Sequence, residues 1–170
     1  MRWQQLVQGV VFLCRAAAGI AFAVLIFAVL TQVIGRTLAS SPVWTEELTR
    51  FALLYLVAFG TGLSFRNGEL VNVDIISEAL PGRLPWVLRL ASALATAGLA
   101  AVLIVPAWKF TSIGAMQTSP ALFWRMDFIH ASVLVLLVLL FLFAAMRAIG
   151  MLTGATDGRP VAADDGELPR

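Results

Sequence analysis

From Ala16 to Ile34 the chain runs 19 residues without a charged side chain. At about 1.5 Å per residue, a helix of that length crosses a hydrocarbon core of roughly 30 Å. Inside lipid, only a helix or a closed barrel satisfies its own backbone. Three more apolar stretches follow, over about 44–65, 86–110 and 128–149. A chain of 170 residues that is 60% hydrophobic and 13% charged has too little polar surface to coat a soluble core. The expectation is an all-α membrane protein with four transmembrane helices over residues 1–150. Residues 151–170, rich in charge, Gly, Pro and Ala, read as a polar, disordered cytoplasmic tail.

The segments around the spans carry their own signals. Met1 to Cys14 sets Trp3, Leu6, Val7, Val10, Val11 and Leu13 against Arg2, Gln4, Gln5 and Gln8. That spacing makes one apolar helical face, which either lies on the membrane or begins the first span. Arg15 breaks the apolar region of any cleaved leader, so the start reads as retained. Gly35, Arg36 and the Ser-Ser-Pro triplet mark an exit, after which Ser41 and Pro42 suit a new helix start. Between spans two and three, Leu70, Val73, Ile76, Ala79 and Leu80 recur at steps of three and four beside Asn72, Asp74 and Glu78. This second amphipathic segment is expected at the interface. The third span is rich in Ala, with Gly98 among small residues that let helices approach closely; Pro106 is expected to bend its end.

Orientation follows from the cations. With both termini on one side, that side holds eight of the 12 Lys and Arg residues and the other holds Arg36, Arg50, Lys109 and Arg125. The richer side is cytoplasmic. The basic residues stand singly at the ends of apolar runs, so nucleic acid is not an expected partner. One Cys and one His exclude an internal disulfide and a multi-His metal site, and bulky Leu13 before Cys14 argues against a lipoprotein. No phosphate loop or nucleophile with its base is present, which argues against an enzyme.

Two polar concentrations remain. Glu46 and Arg50 are four apart and Glu47 and Arg50 three apart, so on a helix both carboxylates can reach one guanidinium. The uncharged part of this span, from Phe51 to Phe65, is only 15 residues, which holds the cluster at the interface or against a partner. Asp127 and His130, three apart beside Arg125, form either an interfacial cap or a proton relay. Gly60, Gly62 and Ser64 place small groups on neighbouring turns for helix packing. An autonomous small carrier or channel is the competing reading of the Asp127–His130 pair and the Gly-rich second span.

The stretch Trp44-Thr-Glu-Glu-Leu-Thr-Arg50, with Arg66-Asn-Gly-Glu69 and Val73-Asp74 after it, resembles the small membrane subunit of TRAP transporters, the tripartite ATP-independent periplasmic carriers. Trp44, Glu46, Glu47, Arg50, Arg66, Gly68, Glu69, Val73 and Asp74 match its two signatures position by position, whereas Leu70 and Asn72 depart from them. The resemblance implies a non-catalytic inner-membrane subunit without a cofactor of its own. A large multi-span permease would hold the substrate and sodium sites, and a periplasmic binding protein would deliver an organic acid. It also implies that Trp44, Glu46, Glu47, Arg50, Arg66, Gly68, Glu69 and Asp74 face partners.

Overall fold

A computed structural model describes residues 2–40, 42–67 and 84–156, and shows four helices. They are α1 (Arg2–Thr37), α2 (Trp44–Asn67), α3 (Leu84–Gly114) and α4 (Met126–Leu152). Each is long and apolar enough to cross a membrane. α1 is one unbroken helix of 36 residues, so the N-terminal amphipathic stretch continues into the first span rather than lying apart from it. Its length of about 54 Å exceeds the hydrocarbon core. The expected amphipathic segment around 69–80 and the tail from 157 onward lie outside the described residues. The last helix extends to Leu152, three residues beyond the expected end of the span at 149.

Local chemistry explains the boundaries. α1 passes through Gly35 and closes where Ala39 turns left-handed at φ 52, with Ser40 N–H donating to Gly35 O at 2.8 Å and Ala39 N–H to Arg36 O at 3.2 Å. This pair of bonds is a Schellman closure with Ala in the position that Gly usually fills. The corresponding turn after α4 does use Gly, with Gly154 at φ 70 and Ala155 N–H donating to Gly150 O at 2.9 Å. Ahead of α2, the Thr45 hydroxyl and amide both donate to Pro42 O, at 2.7 and 3.3 Å. Glu46 and Glu47 then occupy the first turn of α2, where the exposed amides favour negative charge. α3 carries Pro106 internally and nevertheless continues to Gly114, past the expected end of the span at 110.

The main helix contacts run α1 to α2, α2 to α4 and α4 to α3, giving an open row. The two flanking helices pack along narrow seams. On α1 the buried positions include Cys14, Ala21, Ala28 and Gly35, and on α3 Ala93, Ala100, Ala107 and Gly114. Each set repeats every seven residues, the period at which one stripe stays against a neighbour as two helices wind left-handedly. Small side chains at these positions bring the axes close, which matters in lipid because packing rather than the hydrophobic effect drives association. At the end of the row that carries the N-terminus, Val11, Cys14, Phe65, Phe143 and Ala144 form a buried cluster joining α1, α2 and α4. The Arg147 guanidinium lies 5.8 Å from the Phe65 ring centroid. Large apolar side chains such as Phe12, Ile20, Phe27, Leu99, Val102 and Val105 face outward.

Candidate functional site

The acidic pair at the head of α2 divides its work. Successive residues on a helix point about 100° apart, so Glu46 faces α1 while Glu47 faces the connector between α3 and α4. Glu46 accepts a hydrogen bond from Gln32 Nε2 at 3.4 Å and pairs with Arg36 at 3.5 Å and Arg50 at 3.8 Å. All three ion-pair partners are exposed, and such pairs contribute at most about 1 kcal/mol. The sequence reading let both carboxylates meet Arg50; only Glu46 forms that pair. The Glu47 carboxylate instead accepts the Ser119 hydroxyl and the amides of Ala121, at 3.2 Å, and Leu122, at 3.0 Å.

Those donors belong to a compact turn. Ser119 N–H donates to Trp124 O at 2.8 Å, Phe123 N–H to Ser119 O at 3.1 Å and Met126 N–H to Gln117 O at 2.9 Å. Phe123 adopts φ 55, a region unfavourable for a bulky side chain. Ser119 is buried, while Phe123 and Trp124 project outward.

Asp127 and His130 do not pair. Asp127 accepts from Arg125 Nη2 at 2.6 Å and from the Phe128 amide at 3.0 Å. His130 Nδ1 lies 3.1 Å from Phe110 O, and its ring stacks on Phe110 with centroids 3.9 Å apart. These are the contacts of an anchored helix entrance. Beside them Trp108, Thr111, Ser112, Ala115 and Asp127 line a cleft of about 170 Å³ at the same end of the row. Tyr55 adds a tie by donating its hydroxyl to Phe128 O.

Trp44 is half-buried at the start of α2 and Ser64 half-buried near its end. Gly62 meets α4 closely: a methyl there would stand 2.8 Å from the Phe143 ring. At Gly60 and Gly98 a methyl would meet nothing within 4 Å among the described residues. Arg66 occupies the last turn of α2, while Gly68, Glu69 and Asp74 lie outside the described residues. Sequence reasoning did not single out Ser119, Gln32 or Gly114. Gln32 and Arg36 are four apart, which could have signalled a shared face. Gly114 faces the start of α4 closely, where a methyl would come within 2.5 Å of His130 Nδ1 and 2.8 Å of the Asp127 amide.

An open row of four membrane-length helices is the architecture of a small multi-spanning membrane protein. A family model described as "Tripartite ATP-independent periplasmic transporters, DctQ component" matches residues 25–154, 130 of the 170 residues. The chain belongs to this family, the small subunit of TRAP transporters, which is a transporter component rather than an enzyme family. A search among curated proteins finds no match.

Proposed function

We propose that the protein serves a sodium-driven TRAP carrier for organic acids, such as dicarboxylates or sialic acid, as its non-catalytic small subunit. A large multi-span permease holds the substrate and sodium, a periplasmic protein delivers the solute, and this chain scaffolds the permease and supports the contact between them. The family match over residues 25–154 carries this reading. The outward apolar faces of α1 and α3 support it, since they offer a permease a broad surface within the membrane. In the inner membrane both termini are cytoplasmic, by the eight-to-four division of cations. Trp44, Glu46 and Arg50 then stand at the outer boundary as a contact for the permease or the binding protein, with Arg66, Gly68, Glu69 and Asp74 as their cytoplasmic counterpart; Glu47, expected among them, accepts instead from Ser119 and the amides of Ala121 and Leu122.

The test is co-expression of the tagged chain with the large permease and the binding protein. Co-purification with the permease, and sodium-dependent uptake in proteoliposomes only when all three components are present, is the expected result. A stable, fully active carrier made from this chain alone would overturn the assignment. Reporters fused after Ala39 and Arg170 should read periplasmic and cytoplasmic respectively, and the reverse pattern would invert the topology.

A further inference from the structure

We propose that Glu47 is a positioning residue acting inside the chain: its carboxylate holds the 115–125 connector folded, and the connector so held lays Phe123 and Trp124 in the headgroup layer of the bilayer. This goes beyond membership of a transporter and holds whichever permease the chain serves.

The geometry supports the brace first. Three donors from one short turn converge on a single carboxylate 72 to 75 residues away in sequence: the Ser119 hydroxyl and the Ala121 and Leu122 amides. Ser119 is 1% exposed, and its oxygen also accepts from the Leu122 amide at 3.3 Å. Hydrogen bonds to an ionised acceptor are about twice as strong as neutral ones. Phe123 is meanwhile held at φ 55, a conformation that persists only where surrounding contacts over-determine it. The turn's own hydrogen bonds and the Glu47 set together supply those contacts.

The surroundings name what the turn meets. Phe123 is 79% and Trp124 51% exposed, and Trp108 in the later part of α3 and Phe128 in the first turn of α4 are exposed as well. Lys109 directly follows Trp108 and Arg125 directly follows Trp124 in the chain. Gly114 lies five residues past Lys109, about 7–8 Å along the helix axis, and the polar layer on each face of a bilayer is roughly 5–8 Å thick. Aromatic side chains interleaved with cations at that depth are the pattern of a lipid interface. Glu46 instead pairs with Arg36 and Arg50, so two adjacent acids serve an exposed ion-pair network and an internal brace respectively.

The test uses the full chain in nanodiscs of phosphatidylethanolamine and phosphatidylglycerol. Glu47→Gln keeps the size of the side chain but turns an amide group toward the loop donors. It should speed hydrogen exchange of the peptide containing residues 121 and 122 about tenfold or more. Ser119→Ala should speed exchange in the same peptide, and the double variant should change less than the sum of the two. Glu46→Gln should leave that peptide unchanged. A nitroxide on Phe123→Cys, with the native Cys14 buried, should contact oxygen in preference to a water-soluble nickel relaxant, and Glu47→Gln should reverse this. Should Glu47→Gln lose helix content by circular dichroism, Ser119→Ala decides by the same two readouts. Unchanged exchange in a folded Glu47→Gln, or additive effects in the double variant, would overturn the brace. A nitroxide in water, or one buried against the permease in the assembled complex, would overturn the bilayer contact.

Discussion

At the scale of single residues, the molecule depends on places where a methyl group more or less decides the packing. A side chain at Gly114 would press on the backbone of α4, at the Asp127 amide and the Met126 carbonyl carbon, which cannot swing aside. Gly114→Ala should therefore cost about 1–3 kcal/mol, read as a lower midpoint in a detergent-unfolding titration. Gly62→Ala presses on the Phe143 ring, a side chain that can rotate, and should cost less. The opposite sign is expected at Ala39, whose left-handed backbone is strained for any residue with a Cβ. Replacing it with Gly should raise the same midpoint by about 0.5–1 kcal/mol, the relief of strain exceeding the added chain entropy. The acidic pair shows where reading residue types reaches its end. Spacing correctly allowed Glu46 to reach Arg50, but it could not register that Glu47 turns away, because Ser119 lies 72 residues downstream.

At the scale of elements, the helices themselves were legible because long uncharged runs leave no alternative in lipid, and each of the four runs lies within a helix long and apolar enough to cross a membrane. Their ends were less so. α3 runs four residues past its expected end at Phe110, and the stretch read as an amphipathic start is the first part of α1. Which face each helix buries was not legible from hydropathy, since a lipid-facing side chain is as apolar as a packed one. Size rather than polarity marks the seams, and the seven-residue series of small groups on α1 and α3 becomes visible only once burial is known. Ala100→Leu on the α3 seam should overpack the contact with α4 and destabilise the protein by about 1–3 kcal/mol. Val102→Leu, two residues away and exposed, should leave the unfolding midpoint within error.

At the scale of the whole molecule, an open row of helices leaves broad apolar surface on α1 and α3, and a methyl added at Gly60 or Gly98, two of the glycines expected to pack helices, would meet nothing within 4 Å among the described residues. If their use is against a permease, Gly60→Leu and Gly98→Leu should leave the isolated chain as stable as the parent while reducing its co-purification with the large subunit. Arg50→Ala should likewise weaken assembly and spare membrane insertion, as checked by complex yield against membrane-fraction yield. The sequence alone determined the membrane environment, the number of spans and the family signature, because these depend on hydrophobic length and on residues close together in the chain. The tertiary structure decided the order of the row, the separation of Asp127 from His130 and the division of labour between Glu46 and Glu47. The packing of the row, the His130–Phe110 contact and the Glu47–Ser119 contact join groups distant in sequence, chosen by the direction in which a helix presents its side chains and by what the packed neighbour offers in return, while Asp127 is held locally by Arg125 and the Phe128 amide.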